Sequence, residues 1–166
     1  MTLSHLDQAG RARMVDVGSK GISVRRAVAE GRVMMSSEAF AQVRTSSLAK
    51  GDVRAVAELA GVMAAKRTGD LIPLCHPLPL DQVHVEVELV DEWPGVRAVA
   101  TVAATARTGV EMEALVAVSV ACLTVYDMVK SVDRAMRIEA IRLLEKTGGA
   151  RGDWRAGTLP IKEEHE

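Results

Sequence analysis

Residues 82–90 read QVHVEVELV and residues 96–107 read VRAVATVAATAR, and these two stretches decide the fold. In the first, valine and leucine alternate with polar residues, which is the period of a β-strand with one buried face. The intervening DEWPG, residues 91–95, is rich in turn-forming residues. We therefore predict an antiparallel hairpin over residues 82–107.

Helices are predicted on both sides of the hairpin. Asp52 is placed to cap a helix over about residues 53–68, where apolar residues recur at helical spacing. Thr108 and Glu111 have the spacing of a capping box, which predicts a second long helix ending near Ser131.

Two further strands complete the predicted sheet. One covers about residues 22–35, with an interruption at residues 30–31. Ser36 and Ser37 then offer an N-cap for a short helix through about Val43. The other covers about residues 136–145 and changes phase at residues 140–141, which indicates a bulge. This order predicts an α+β fold, a ferredoxin-like antiparallel sheet with helices packed on one face.

The second long helix predicts an oligomer. Between Ala114 and Tyr126 only Ser119 and Thr124 are polar, whereas a surface helix of a monomer should show a polar stripe. We therefore expect one side to pack on the sheet and the other on a second subunit. At 1.5 Å per residue, positions 113 and 127 lie about 21 Å apart along the axis. A single site that uses both must be assembled from two chains.

Composition limits the function. The net charge of −1 and the aromatic content of 2% argue against nucleic-acid binding, which needs basic surplus or stacking rings. Cys75 and Cys122 form no disulfide framework, and no signal peptide or membrane span is read, so a cytoplasmic protein is expected. We predict one α+β domain over residues 13–154, with a flexible N-terminus (1–12) and a flexible C-terminal tail (155–166).

Residues 66–80, KRTGDLIPLCHPLPL, are the strongest candidate for a positioned site. Three of the five prolines fall here, and each fixes its own backbone and restricts the residue before it. The segment therefore presents Cys75 and His76 on a stiff path just after Lys66 and Arg67. His76 is placed to donate to an anion, to bind a metal or to satisfy a loop carbonyl; no second ligand at zinc spacing accompanies it. Cys75 is interpreted as a packed residue rather than a nucleophile.

The ends of the second long helix carry candidate acid–base groups. Asp127 and Lys130 are neighbours on one face of this helix. They form either a proton-transfer pair or an ordinary helix ion pair, and their spacing alone favours the ion pair. Glu111 is explained by capping, whereas Glu113 is as readily functional as structural. Several cations are suited to phosphate, although each taken alone is more often a solvated charge: Arg25, Lys50, Lys66, Arg67 and Lys130.

Four runs carry a resemblance to a known family: MVDVGSK (14–20), KGDVRAVAELAGVMAAKRTGDLIPLCHPL (50–78), TGVEMEALVAVSVACLTVYDMVKSVD (108–133) and LLEKTGG (143–149). The chain resembles the cyclic pyranopterin monophosphate synthases of molybdenum-cofactor biosynthesis. The resemblance implies a homohexamer built as a trimer of dimers, with active sites at the dimer interface. It implies conversion of (8S)-3′,8-cyclo-7,8-dihydroguanosine 5′-triphosphate to cyclic pyranopterin monophosphate with release of pyrophosphate, a lyase reaction.

The same resemblance implies roles for single residues. Asp127 takes the catalytic acid–base position, with Lys130 and Lys50 beside it. Substrate-binding positions are Leu74, Cys75, His76, Met112 and Glu113, followed by Lys66, Arg67, Arg25 and Glu111. No tightly bound cofactor and no protein-held metal are expected, although Mg²⁺ is compatible with the triphosphate.

Two other classes of function remain open at this point. A non-catalytic small-molecule-binding module would use the interface and the cations but would have no use for Asp127 beside Lys130. A purely structural oligomer would bind no anion. Release of pyrophosphate from the cyclised nucleotide distinguishes the enzyme from both, because the fold class alone does not.

Overall fold

The structure is a computed structural model that describes residues 9–46, 51–150 and 152–157. Its elements, in chain order, are β1 (Ser23–Met34), α1 (Ser37–Arg44), α2 (Val53–Ala65), α3 (Thr68–Leu71), β2 (Gln82–Val90), β3 (Gly95–Ala106), α4 (Glu111–Val129), β4 (Arg137–Thr147) and β5 (Trp154–Arg155).

The strands form one antiparallel sheet in the order β2-β3-β1-β4-β5. The hairpin read from the sequence is confirmed, with Val85 opposite Ala100. The first four strands and the two long helices follow a β-α-β-β-α-β arrangement, so the α+β prediction is confirmed. The helices α2 and α4 pack side by side on one face of the sheet, where alanine and valine make most of the core.

Two glycines allow this close packing of helix and sheet. A Cβ at Gly31 in β1 would lie 3.1 Å from the Cys122 sulfur of α4, and one at Gly61 in α2 would lie 3.0 Å from the Ala117 carbonyl oxygen. These approaches fix how deep the helices sit, because a side chain at either position would push the layers apart.

The predicted bulge is confirmed, but the predicted interruption of β1 is wrong. Register pairs Glu30 with Arg142 and Arg32 with Glu139, so two residues of β4 oppose Gly31. Ala140 there has φ 53°, a left-handed conformation that bulges accommodate. β1 runs on without a break because the extra residue lies on its partner strand.

Other boundaries also differ from the prediction. α4 begins at Glu111 with Val110 at its N-cap and without a side-chain cap, so Thr108 and Glu111 do not form the expected capping box. Glu111 occupies the first helical position, where its negative charge interacts favourably with the positive end of the helix dipole. α2 ends at Ala65, earlier than expected, and β5 was not predicted; it pairs Trp154 with Lys146.

The outer face of the sheet, away from the helices, buries one carboxylate. Because Gly31 faces α4, its neighbour Glu30 points to the other face. Glu30 is 2% exposed and accepts hydrogen bonds from Arg97 Nε and Arg142 Nε, both at 2.7 Å. This three-residue cluster joins β1 to both of its neighbours.

α4 is the one helix among the described residues whose length and composition would allow it to cross a membrane. More than half of that stretch is buried within the fold, as in the core helix of a globular protein. Its apolar character is therefore explained on one side by packing on the sheet and on α2.

Candidate active site

The start of α4, the end of α2 and the proline-rich segment meet at one end of the molecule. A cavity of about 80 Å³ lies between them, and a more open one of about 480 Å³ continues along α2 toward the start of β2. Both share Lys66 and Leu78. The smaller cavity is also lined by Ala65, Gly69, Asp70, Pro77 and Glu113.

Local hydrogen bonds shape the proline-rich segment where it leaves α2. The buried Thr68 hydroxyl donates to the Ala65 carbonyl oxygen at 3.0 Å, and the Cys75 amide donates to the Ile72 carbonyl oxygen at 3.0 Å. A Cβ at Gly69 would lie 3.2 Å from Pro77, so glycine lets the chain fold back on α3. Leu74, Cys75 and His76 are half-buried and precede Pro77 of the cavity lining, although none of the three lines the cavity itself.

Glu113 is the buried acid of this end of the molecule. It is 4% exposed; burial raises its pKa, its own backbone amide lowers it, and the nearby charge of Glu111 raises it again. Burial, and then the charge of Glu113, also raise the pKa of the Cys75 thiol. A raised thiol pKa disfavours the thiolate, in agreement with the interpretation that Cys75 is not a nucleophile.

Glu111 contacts one cation of the sheet, Lys146, and a second cation, Arg25, is held near the start of β1. Lys146 Nζ on β4 is 3.6 Å from Glu111 Oε1. Arg25 on β1 donates from Nε to the Ala106 carbonyl oxygen at 3.3 Å, and the turn at Gly149 fits directly against its guanidinium. The structure thus adds Lys146 to the predicted set; its presence in the run LLEKTGG was the available signal.

Gly109 gives Glu111 its position. A Cβ at Gly109 would overlap the Glu111 carboxylate, which folds back over this residue. A larger residue here would therefore displace the flexible Glu111 carboxylate rather than the backbone. Met112 follows, half-buried on the helix, and Lys66 and Arg67 lie exposed where α2 ends.

Asp127 and Lys130 lie at the opposite end of α4. Lys130 Nζ is 2.6 Å from Asp127 Oδ1, so their predicted contact is confirmed. Both side chains are more than half exposed in the single chain, at 51% for Lys130 and 58% for Asp127. The length of α4 separates them from Glu113, as the helical rise requires. Lys50 lies outside the described residues.

The described part of the chain, residues 9–46, 51–150 and 152–157, contains no group of three or more His, Cys, Asp and Glu side chains that would hold a metal. The donor set at the Glu113 end combines carboxylates with Lys66 and Lys146 instead. These groups suit hydrogen bonding and charge pairing with an anionic organic ligand.

Fold and cavities together describe an α+β protein with a candidate polar site at one end of its longest helix. The model of the MoaC family matches residues 14–149. Curated proteins of Brucella ovis and Brucella abortus are 59% identical to this chain over 152 residues, and one of Brucella canis is 58% identical. Each match covers 92% of both chains, and all three relatives are named cyclic pyranopterin monophosphate synthase. The chain belongs to the MoaC family, an enzyme family of molybdenum-cofactor biosynthesis in the lyase class.

Proposed function

We propose that this chain converts (8S)-3′,8-cyclo-7,8-dihydroguanosine 5′-triphosphate to cyclic pyranopterin monophosphate and pyrophosphate. The observation that carries the proposal is the match over residues 14–149, at 59% identity to named synthases, which spans every residue given a role by the sequence. The polar cavities at the Glu113 end support it, because a nucleotide-derived anion needs cations and hydrogen-bonding groups together.

We propose further that each active site is built from two subunits within a homohexamer, a trimer of dimers. The separation of Glu113 from the ion pair of Asp127 and Lys130 supports this arrangement, because both ends of α4 carry polar groups that a single small substrate would not reach. One copy would lend the Glu113 end and the other the Asp127 end. The oligomer would work in the cytoplasm.

The cations take the phosphates in this mechanism. Lys66, Arg67 and Arg25, with His76, bind the triphosphate, and Lys130 and Lys50 enter from the second copy. Holding the charge that develops on pyrophosphate makes it a better leaving group as the ribose-derived hydroxyl attacks the α-phosphorus. Mg²⁺ would arrive with the triphosphate rather than in a protein-made cage.

The acids move the protons. Asp127 accepts or donates protons as the ring is rebuilt, with Lys130 hydrogen-bonded to it. Glu113, whose pKa burial raises, is suited to donate a hydrogen bond or a proton to a ring nitrogen. Leu74, Cys75, Met112 and Glu111 shape and orient the ring.

The test is turnover of the cyclised nucleotide, followed by pyrophosphate release and the mass of the product. Asp127→Asn should lower turnover by about a hundredfold or more, the usual worth of a general acid–base group. Asp91→Asn is the matched control. Asp91 is an exposed acid on the hairpin turn, and it is paired with Arg44 of α1. Pyrophosphate release by Asp127→Asn at the wild-type rate would remove Asp127 from the mechanism.

Mixing inactive variants tests the shared site. Glu113→Ala subunits exchanged with Asp127→Asn subunits should regain activity, because some interfaces then carry one intact site. Either variant alone supplies the baseline. Absence of recovery, with subunit exchange demonstrated by mass spectrometry, would mean that each chain holds its own complete site.

A further inference from the structure

One carboxylate that has no part in the proposed function holds the turn after α4, residues 130–135. Asp133 accepts hydrogen bonds from two backbone amides: Ser36 donates to Oδ2 at 2.7 Å, and Ala135 donates to Oδ1 at 2.8 Å. These bonds, first that from Ser36, hold the pKa of the Asp133 carboxyl below its ordinary value, so the group is charged near neutral pH. The carboxylate thus fastens the turn to the start of α1.

α1 is a firm anchor for this turn. Its inner face is buried through residues such as Ala39 and Phe40. The Ser36 hydroxyl caps the helix by accepting from the Ala39 amide at 3.2 Å. Just before it, the Met35 amide donates to the Pro94 carbonyl oxygen at 2.9 Å. Because α1 is itself packed in the core, a turn tied to its start is tied to the core as well.

The end of α4 needs such fastening. A helix leaves its last four carbonyl oxygens without intrahelical partners, and its ends fray. Here the Val129 carbonyl oxygen accepts from the amides of Val132 and Asp133, at 2.9 and 3.2 Å. The Tyr126 hydroxyl donates to the Arg134 carbonyl oxygen at 3.1 Å, which braces the turn a second time. These contacts keep the last turn of the helix closed.

The predicted acid–base pair lies on this last turn. Lys130 is the C-cap of α4, and its Nζ is 2.6 Å from Oδ1 of Asp127, three residues earlier. Both side chains are more than half exposed, so their contact depends on a helical backbone between them. Fraying of one turn would displace the pair, and a displacement of about 1 Å lowers a rate by up to about a hundredfold.

We propose that Asp133 is a positioning residue for the reaction, acting through Asp127 and Lys130 by fastening the turn after α4 to α1. The Tyr126 hydroxyl is the second brace. The proposal rests on the proposed function, since it requires the acid–base pair to act on the substrate, and deepens it by naming what places that pair. It also gives α1 a task in the reaction, although no candidate site residue lies on that helix.

Three substitutions separate positioning from stability, with pyrophosphate release per folded enzyme as the measurement. Asp133→Ala removes both acceptors and should lower kcat about tenfold, whereas Asp133→Asn keeps one carbonyl oxygen and should lower it about threefold. Ser36→Ala is the matched control. It removes the cap of α1 but leaves both backbone amides that Asp133 binds, so it should keep the wild-type kcat.

Hydrogen exchange measured by mass spectrometry reports the turn without reference to activity. In Asp133→Ala, exchange over residues 128–136 should be about tenfold faster than in wild type, because the amides of this stretch lose their closed arrangement. Ser36→Ala should leave exchange over the same residues unchanged. Tyr126→Phe removes only the second brace and should show a smaller acceleration than Asp133→Ala.

A double-mutant cycle tests the route of the effect. In the Asp127→Asn background, Asp133→Ala should lower the remaining rate less than about twofold, because the group that it positions is gone. Lys130→Gln supplies the background where Asp127→Asn leaves no measurable rate. A full tenfold loss in such a background would mean that Asp133 acts elsewhere, and would overturn the proposal.

Other outcomes also overturn it. Wild-type kcat in Asp133→Ala, or an equal loss in Ser36→Ala, would reduce the role of Asp133 to stability. Unchanged hydrogen exchange in Asp133→Ala would show that the turn does not depend on this carboxylate, while the proposed reaction would stand. Wild-type turnover in Asp127→Asn would instead remove the acid–base role of Asp127, and the positioning role with it. The two failures are thus distinguishable.

Discussion

Two buried glutamates show how differently this fold treats the same side chain. Glu30 lies on the outer face of the sheet, and Glu113 lies at the start of α4 beside the candidate site; they are 2% and 4% exposed. Burial alone would raise the pKa of both. At Glu30 the hydrogen bonds and charges of Arg97 and Arg142 outweigh burial and lower the pKa. At Glu113 burial dominates, and Glu111 adds a like charge.

The two carboxylates therefore differ in how the fold compensates their charge. Glu30 is charged and compensated, so it ties three strands together. For Glu113 no arginine of the described residues offsets burial in this way, and its raised pKa is a cost to stability. Perturbed acids of this second kind concentrate at reaction sites, so the catalytic role of Glu113 is a prediction worth testing.

The largest effect should come from removing the acid at Glu113. Glu113→Gln keeps the shape and hydrogen bonding of the side chain but cannot release a proton. We expect turnover to fall by about a hundredfold or more, the usual contribution of an acid–base group. Steady-state pyrophosphate release measures it, with circular dichroism to verify the fold.

Glu30→Gln is the matched control for activity. It makes the same chemical change in an equally buried glutamate on the other face of the sheet. Its folded fraction should retain wild-type turnover. Equal losses in the two variants would show that the loss reports stability rather than chemistry.

The second effect is on stability and belongs to Glu30. Glu30→Gln removes the one negative charge that Arg97 and Arg142 share in the buried cluster. Since both arginines reach solvent in part, we expect a loss of about 3 kcal/mol in the free energy of unfolding, the lower end for a broken buried ion pair. Urea denaturation at fixed protein concentration measures it. Wild-type stability in the variant would mean that the cluster is neutral in energy.

The sequence predicted the helices and strands better than it predicted the surroundings of Glu30 and Glu113. Alternation in β2, the caps at Ser36 and Asp52 and the phase change at Ala140 are local signals, and the structure agrees with each. The predicted capping box is wrong because the N-cap is Val110, two residues after Thr108.

Long-range juxtaposition was beyond the sequence. Nothing around Glu30 says that Arg97 and Arg142, from two other strands, will close on it. The same holds for Lys146 beside Glu111. The candidate site residues came from a family resemblance and from spacing; their catalytic and binding roles stay predictions, and the geometry adds which of them lie at the same end of one chain.

A smaller effect should come from moving the Glu111 carboxylate while the acid at Glu113 is kept. In Gly109→Ala the new methyl group takes the place of the Glu111 carboxylate, which must move away from Lys146. We expect about a tenfold loss in kcat/KM, which is about 1.4 kcal/mol, with Glu113 still in place. Gly51→Ala is a poor control because Gly51 has φ 91°, so Gly21→Ala, in open space, serves instead. Unchanged kcat/KM in Gly109→Ala would show that the position of the Glu111 carboxylate does not affect turnover.

The smallest effect is a difference in how stability depends on pH. Glu113 holds its proton more tightly when folded, so its charge destabilises the fold progressively as pH rises above the ordinary value of 4.5. Glu113→Gln should therefore be slightly more stable than wild type near neutral pH, with the gain vanishing near about pH 4.

Glu30 shows the reverse dependence, because its lowered pKa stabilises the fold above pH 4.5 and that contribution is lost as the pH falls through the pKa of the folded state. The deficit of Glu30→Gln should thus shrink on acidification. Urea titrations of both variants at the two pH values decide the matter. A Glu113→Gln chain that is less stable than wild type at neutral pH would contradict this prediction, because the charge of Glu113 would then be compensated.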